Sequence, residues 1–158
     1  MKRARGFSLI ELLVTLAILG LLAGLAVPSV ELFSRRQREA ELRRALREIR
    51  TAIDNYKKAV EDGRIAVKAD QSGYPPNLEV LYRGTPDAKD PAKRSKIYFL
   101  RRLPRDPFFP DSTTPPNETW GLRSYQSEYD RPARGADVYD IFSLSPGLGL
   151  NGIRYKEW

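Results

Sequence analysis

The sequence has no cysteine and no histidine among its 158 residues. Without cysteine, this chain cannot form a disulfide framework, a thiol nucleophile or a thiolate metal site. Without histidine, it lacks the usual general base, the usual catalytic triads and the commonest zinc ligand. Carboxylate chemistry stays formally open, but no spacing of the acidic residues points to it. We therefore expect no catalytic activity and no catalytic residue.

What the sequence does contain is one long apolar run, residues 7–30, directly after a basic leader, residues 1–6. Such a run is long enough for a helix that crosses the hydrocarbon core of a bilayer, which takes about 20 residues. Glu11 interrupts the run, at a cost of about 2.5 to 3.5 kcal/mol on insertion scales, so its carboxylate needs a partner or a purpose. One explanation is that the carboxylate reaches the membrane interface, where the basic leader could neutralise it.

The other explanation for the carboxylate takes Gly6, Phe7 and Glu11 together. The stretch from Gly6, GFSLIELLVTLAILGLLAG, resembles the class III (prepilin) signal of type IV pilins and type II secretion pseudopilins. The resemblance implies that a prepilin peptidase cleaves between Gly6 and Phe7, that Phe7 becomes the N-methylated N-terminus, and that Glu11 directs assembly. The new α-amino group has an unperturbed pKa of about 7.7 to 8.0, so it is a cation against which a neighbouring subunit could place Glu11.

A conventional secretory signal is the main alternative for this segment, because small residues follow the run at 24–26. Three features oppose it: the run is longer than an ordinary signal core of about 7 to 15 residues, Glu11 interrupts it, and the pattern continues into a helix. The basic leader favours a cytoplasmic N-terminus, although Arg35, Arg36 and Arg38 weaken this orientation. We expect a single-pass protein of the bacterial inner membrane with a periplasmic head.

The segment after the apolar run is predicted to continue the helix. Pro28 predicts a bend, because a proline inside a helix removes one hydrogen bond and clashes with the preceding turn. From Glu31 to Asp62 there is neither glycine nor proline, and Gly63 is a natural stop. An apolar stripe recurs at steps of four and three, with alanines beside it: Leu42, Leu46, Ile49, Ile53, Tyr56 and Val60, with Ala45, Ala52 and Ala59. Residues 31–63 therefore form an amphipathic helix whose stripe either packs on a small sheet or forms a coiled-coil seam.

The formal net charge is +7, and loss of the three basic side chains in the leader lowers it to +4. Seven arginines fall between Arg35 and Arg50. A basic stripe can bind nucleic acid or anionic lipid. Directly after a membrane helix, we expect lipid headgroups or neighbouring subunits, and no nucleic acid.

Residues 64–158 are predicted to form a globular head, which makes the chain an α+β, pilin-like protein: a long bent N-terminal helix packed on a small antiparallel sheet. A short helix is expected at 77–82, closed by Gly84, followed by a surface loop at 85–95. About three antiparallel strands are expected, Trp120 to Gln126, Asp137 to Leu144 and Gly152 to Tyr155. The aromatic residues of this half are predicted to be core rather than a carbohydrate or base-stacking platform: Tyr98, Phe99, Phe108, Phe109, Trp120, Tyr125, Tyr139 and Phe142.

The head carries a second resemblance, to the major pseudopilin of type II secretion systems. The residues that match are Tyr98, Leu100, Leu103-Pro104, Asp106-Pro107-Phe108, Trp120-Gly121, Tyr125 and Asp140-Ile141-Phe142-Ser143-Leu144. That subfamily usually continues its last strand as Leu-Gly-Ala-Asp-Gly and binds calcium through this aspartate and another one downstream. Here residues 144–152 read LSPGLGLNG, and the only acid after Asp140 is Glu157. Calcium takes about six to eight oxygen ligands, so the family site does not transfer and we expect no cofactor.

The resemblance implies a structural subunit that is cleaved, methylated and polymerised into a periplasmic pseudopilus. It also implies interactions with other pseudopilins and with an inner-membrane assembly platform. Together these components export proteins through an outer-membrane secretin. The alternative is a type IV pilin or minor pilin, used as a surface fibre or for DNA uptake. Two other classes lack support: a binding domain would need convergent polar groups in a pocket, and a carboxylate hydrolase would need a perturbed pair in a cleft. The candidates for such a pair are Asp106, Asp111, Asp137 and Asp140.

Overall fold

The computed structural model describes residues 7–92 and 94–158, apart from the side chains of residues 23–29. Its first element is helix α1, Leu9–Glu61, with 53 residues. The chain divides into two compact units inside this helix, between Gln37 and Arg38. A search of the described residues finds no helix that has both the length and the hydropathy of a membrane span.

Helix α1 runs through position 28 without ending there, so the predicted continuity of the helix is confirmed. The predicted bend at Pro28 stays a prediction, because its side chain lies outside the described ones. The helix ends at Glu61, two residues before the predicted stop at Gly63, whose φ of 69° is the left-handed conformation that glycine adopts at low cost. Beyond it, the amide of Arg64 donates to the carbonyl of Ala59 at 2.8 Å and closes the last turn.

The predicted apolar stripe of α1 faces the interior of the second unit. Its buried members are Leu42, Ala45, Leu46, Ile49, Ala52, Ile53, Tyr56 and Ala59, and Val60 is half-buried against them. They pack on the head, where Trp120, Leu81 and Ile141 are fully buried. The stripe is therefore covered by the head of its own chain, as the first of the two alternatives predicted.

Helix α2 spans Glu79–Arg83, two residues later than predicted. The Asn77 side chain accepts hydrogen bonds from the amides of Glu79 (3.0 Å) and Val80 (3.2 Å), so it precedes the helix as a cap rather than joining it. Gly84 ends α2 with a φ of 82°, as the sequence predicted.

Two small antiparallel sheets replace the single three-stranded sheet that we predicted. Strand β1, Thr85–Pro86, lies at the start of the region predicted as a surface loop, residues 85–95, and pairs with β2, Lys96–Ile97, which directly follows that region. Strands β3, Trp120–Arg123, and β4, Asp140–Ser143, form the second pair, with Trp120 opposite Ser143 and Arg123 opposite Asp140. The α+β, pilin-like class is confirmed, since a long N-terminal helix packs on small antiparallel sheets.

The prediction of a third strand from Gly152 to Tyr155 is wrong. This segment contains a single bridge, Leu148 to Arg154, and then a 3-10 helix, Tyr155–Glu157. The physical reason is a tight turn at Gly152, which has a φ of 78°. A hydrogen bond from the Gly149 amide to the Ile153 carbonyl, at 2.8 Å, closes this turn. The chain therefore hydrogen-bonds to itself there instead of extending β4.

The prediction that the aromatic residues are core is confirmed for Trp120 and wrong for Tyr98 and Tyr125, which are 62% and 59% exposed. The Tyr98 ring lies against Gly84, where an added Cβ would come within 2.7 Å of it. Tyr125 lies beyond the end of β3 and stacks on Tyr74, with ring centroids 5.5 Å apart. The predicted strand was too long, so its alternation assigned Tyr125 to the wrong environment.

Candidate assembly site

The described part of the first unit, residues 7–37, starts with a helix cap. Ser8 directly precedes α1, and its Oγ accepts a hydrogen bond from the Glu11 amide at 3.2 Å. Ser8 and Glu11 have the spacing of a capping box, in which a serine and a glutamate three residues later satisfy the first free amides of a helix. The predictions from the sequence did not include this cap, although the spacing of Ser8 and Glu11 is visible there. Glu11 lies in the first turn of α1.

The segment around and after this cap exposes a large apolar surface. Eleven residues of the segment each have more than half of their surface exposed: Phe7, Leu9, Ile10, Leu12, Leu13, Val14, Leu16, Ile18, Leu19, Leu21 and Leu22. Soluble monomers rarely expose a contiguous apolar patch larger than about 300 to 600 Å². This surface is therefore a binding face for lipid or for other protein chains.

Glu11 is exposed within this apolar face. Among the described residues, its carboxylate has no hydrogen bond and no ion pair. Leucines 9, 12 and 13 surround it in sequence, so covering the face would remove the charge from water. An isolated buried charge is strongly unfavourable, so covering this face requires either a compensating cation beside Glu11 or a neutral carboxyl group.

The predicted cleavage site is only partly visible. Gly6 lies outside the described residues, and so does the rest of the leader. Phe7 is described and is 75% exposed. Cleavage after Gly6, methylation of Phe7 and the assembly role of Glu11 accordingly remain predictions.

In the head, Arg50 of α1 connects three parts of the chain. Its Nε donates to Asp140 Oδ1 at 2.8 Å, and its Nη2 donates to the carbonyls of Ile141 (3.1 Å) and Trp158 (2.8 Å). These bonds fasten strand β4 and the segment after it to the helix. Arg50 was predicted only as part of a basic stripe, since nothing in a single sequence shows a partner about a hundred residues away.

Asp106 is a nearly inaccessible carboxylate of the same core, with 1% of its surface exposed. Its Oδ2 accepts a hydrogen bond from Ser143 Oγ at 2.6 Å, and its Oδ1 accepts one from the Phe108 amide at 2.8 Å. Burial raises the pKa of Asp106 above its ordinary value, and these hydrogen bonds oppose the rise. The carboxylate therefore joins the turn at 106–108 to β4, a structural role.

The four aspartates considered for a hydrolase do not form a pair. Asp106 is bound by Ser143 and Phe108, and Asp140 by Arg50. Asp111 accepts from two threonines, which hold its pKa at about 2. Asp137 accepts from Ser72 and from the Tyr125 amide. Within residues 7–92 and 94–158, no group of three acidic side chains could hold a metal ion.

Comparison with known proteins agrees with this architecture. Residues 1–27 match the family model described as the prokaryotic N-terminal methylation motif. The type II secretion system core protein G of Klebsiella pneumoniae is 31% identical over 151 residues, which cover 92% of this chain and 87% of that protein. The chain belongs to this family. Its counterpart from Dickeya chrysanthemi is 29% identical over 150 residues, 92% of this chain and 79% of that protein.

This pseudopilin also resembles a type IV pilin, but over less of its length. The type IV major pilin protein PilA of Myxococcus xanthus is 35% identical over 74 residues, 47% of this chain and 33% of that protein. No solved structure matches the chain. The methylation motif and the core protein G relatives imply processing by a prepilin peptidase, membrane anchoring and membership of a type II secretion pseudopilus.

The resemblance implies a calcium site at the loop of residues 144–152. The buried carboxylate at this loop is Glu39, which accepts hydrogen bonds from the Leu150 amide (2.8 Å) and from Tyr155 Oη (3.0 Å). Asn151 Oδ1 accepts one from the Ile153 amide at 3.1 Å. A calcium ion takes about six to eight oxygen ligands, typically including several carboxylates, whereas this loop is bound by one carboxylate, Glu39, whose Oε1 is already an acceptor for two donors. The residues present in this pseudopilin do not fit calcium.

The buried Asp106 gives this pseudopilin a pH dependence with a definite sign. Because burial raises its pKa in the folded state, the native chain holds this proton to higher pH than the unfolded chain, and ionisation costs stability. We expect the free energy of unfolding of the wild type, minus that of Asp106→Asn, to be largest at and below the ordinary pKa of an aspartate, about 3.9, and to fall as pH rises from there through the raised pKa of the folded state. Denaturant unfolding at a series of pH values measures this difference.

Asp90 supplies a control of opposite sign. Hydrogen bonds from Ser95, Ala92 and Arg94 lower its pKa to about 2, so the stability that Asp90 contributes is present above its ordinary pKa and is lost as pH falls through the lowered value. The difference between wild type and Asp90→Asn should therefore grow with rising pH. A difference for Asp106→Asn that is flat, or that also grows with pH, would contradict the assignment.

Proposed function

We propose that this pseudopilin is a structural subunit that is cleaved between Gly6 and Phe7, N-methylated at Phe7, and polymerised through Glu11 into a periplasmic pseudopilus. The pseudopilus drives protein export through an outer-membrane secretin. One observation carries the proposal: the methylation motif at residues 1–27 leads into a capped helix whose exposed apolar face contains the single carboxylate of Glu11.

The chemistry of assembly follows from two opposite charges. Cleavage leaves a cationic amino group on Phe7, at the start of an apolar helix. In the polymer, Glu11 of one subunit pairs with the amino group of a neighbour, so that neither charge is buried alone. A buried pair of this kind fixes the register of subunits more than it adds stability. The exposed apolar face supplies the contact area around it.

The partners that we propose are the prepilin peptidase, other copies of this chain, other pseudopilins and an inner-membrane assembly platform. The anchor lies in the inner membrane, with the basic leader on the cytoplasmic side and the head in the periplasm. The chain is proposed to carry no catalytic activity, which is supported by the separate hydrogen-bond partners of its four candidate aspartates.

The test of processing is the intact mass and N-terminal sequence of the chain purified from membranes of a cell that contains its prepilin peptidase. We expect a mature chain that lacks residues 1–6 and carries one methyl group on the amino group of Phe7. Purification from a strain without the peptidase should return the uncut chain.

Two glycine variants make the processing test specific. Gly6→Val should prevent cleavage, since the resemblance places the peptidase cut directly after this residue. Gly20→Val is the matched control, because a Cβ added at Gly20 meets nothing within 4 Å apart from its chain neighbours and the backbone of its own helix turn. A retained Met1 in the wild type, or a cut near Ala26, would contradict the proposal and return the chain to a simple anchored or secreted domain.

A second candidate function is that of a type IV pilin, which the match to the Myxococcus xanthus protein favours. Deleting the gene in its host distinguishes the two. A pseudopilin deletion retains secreted proteins in the periplasm and leaves surface fibres unchanged, whereas a pilin deletion removes the fibres and spares secretion.

A further inference from the structure

The segment at residues 147–155, which we call the latch, is closed by its own backbone. The Gly149 amide donates to the Ile153 carbonyl at 2.8 Å, and the Tyr155 amide donates to the Gly147 carbonyl at 3.1 Å. Gly152 makes the turn between them with a φ of 78°. These bonds shape the latch, but they do not attach it to the rest of the head.

Glu39 of α1 makes that attachment. Only 4% of its surface is exposed, and its Oε1 accepts hydrogen bonds from the Leu150 amide at 2.8 Å and Tyr155 Oη at 3.0 Å. The two donors are 111 and 116 residues away in the sequence. Bonds to a charged acceptor are roughly twice as strong as neutral ones. One buried carboxylate therefore holds the middle of the latch, at Leu150, and its end, at Tyr155, against the helix.

Aromatic contacts close the latch on both sides of Tyr155. Its ring stacks on Phe108 with centroids 4.1 Å apart, and it meets the Trp158 ring edge-on at 5.1 Å. The guanidinium groups of Arg38 and Arg43 lie over Phe108 and Trp158, at 5.5 and 4.3 Å from the ring centroids. The Tyr155 hydroxyl is thus directed to Glu39 from a packed ring whose position is fixed.

We propose that Glu39 replaces the calcium ion by which the resembled pseudopilins hold this part of the head, so that the head of this chain closes without a metal. The polarity of the site is inverted: a cation gathers oxygen acceptors, whereas the Glu39 anion gathers N–H and O–H donors. Glu39 is a positioning residue for the latch. This inference concerns the folded head and does not depend on the proposed cleavage or polymerisation.

The first test is thermal unfolding of the full chain in detergent micelles, with excess calcium or with the chelator EGTA. We expect the two melting temperatures to agree. An ion bound to the native state, present at about a hundred times its dissociation constant, would raise the melting temperature by on the order of 5 to 10 °C. A rise of that size in calcium would overturn the proposal.

The second test measures hydrogen exchange at the Leu150 amide in variants of Glu39. Glu39→Met keeps the length and apolar stem but removes the acceptor, and we expect exchange to accelerate about tenfold or more. Glu39→Gln keeps a neutral acceptor and should give a smaller acceleration. Glu41→Met is the matched control, because Glu41 is exposed on the same helix, and it should leave exchange at Leu150 unchanged.

Exchange at the amides of β3 and β4 separates loss of the latch from loss of the fold. In the expected result these amides stay protected in Glu39→Met while Leu150 is released. If Glu39→Met does not fold, Glu39→Gln carries the comparison, with Leu150 exchanging faster than in the wild type and the strands unchanged. Unchanged protection of Leu150 in the folded Glu39 variants would show that another group holds the latch.

Discussion

Replacing Glu11 with alanine is expected to abolish filament formation while leaving processing at Phe7 and the fold of the head intact. In the assembled polymer, the variant would leave the amino group of a neighbouring subunit buried without its counter-charge. Removing one partner of such a pair costs about 3 to 5 kcal/mol. At 1.4 kcal/mol per factor of ten, each contact weakens by on the order of 10²- to 10³-fold. Electron microscopy and sedimentation of sheared filaments measure the loss.

Three variants show whether charge is the cause. Glu11→Gln keeps the shape without the charge and should fail like alanine. Glu31→Ala removes another exposed carboxylate of α1 and should assemble normally. Ser8→Ala removes the cap from the Glu11 amide, at a cost of about 0.5 to 2 kcal/mol, and should weaken assembly far less. Equal losses in Ser8→Ala and Glu11→Ala would attribute the effect to helix capping instead.

Replacing Trp120 with alanine is expected to give the largest loss of stability in the head. Trp120 is fully buried, and its Nε1 donates to the Pro104 carbonyl at 2.9 Å. Truncation leaves a cavity in the core of the head and removes the partner of that carbonyl, at a cost of about 3 to 5 kcal/mol. The melting temperature should fall by roughly 10 to 20 °C, as measured by thermal unfolding of the full chain in detergent.

Tyr129→Ala is the control for Trp120→Ala, because the Tyr129 side chain is 83% exposed and its removal should change stability by no more than about 0.5 kcal/mol. Trp120→Phe should fall between the two, since it keeps most of the ring volume but loses the indole donor. A melting temperature of Trp120→Ala within a few degrees of the wild type would show that the core tolerates the cavity, contrary to the expectation.

The helical part of the fold was predictable because its signals are local. The steps of four and three from Leu42 to Val60 mark one face of a helix, and this face is buried as predicted. Gly63 marks the end of the helix because glycine adopts a positive φ at low cost, and α1 ends two residues before it. The prepilin-like segment was recognisable for the same reason, since its motif lies within consecutive residues.

The head was less predictable because its structure depends on contacts between distant residues. The alternation from Gly152 to Tyr155 is compatible with a strand, but the turn at Gly152 pairs this segment with residues 147–149 instead. Pairing of β1 with β2 encloses a proline- and aspartate-rich segment that reads as an unstructured loop. A pattern of alternating residues does not show which segment supplies the hydrogen bonds.

The polar centres of the core were not predictable for a further reason. Glu39 and Asp106 are charged residue types that are rarely fully buried unless they are paired, so a sequence pattern assigns both to the surface. Each is buried because donors reach it from far along the chain, Tyr155 in the first case and Ser143 in the second. Whether these two carboxylates are buried depends on which residues lie close to them in the folded chain, and a single sequence does not show that.

The bonds from Arg50 to the Trp158 carbonyl and from Glu39 to the latch also set the order in which the head can fold. Both join α1 to residues more than a hundred positions later. Closing such long loops is intrinsically slow compared with forming local helix contacts. During synthesis, α1 is complete long before its partners at residues 150–158 leave the ribosome. The head therefore reaches its final packing only after residues 150–158 have been synthesised, although α1 is already complete by then.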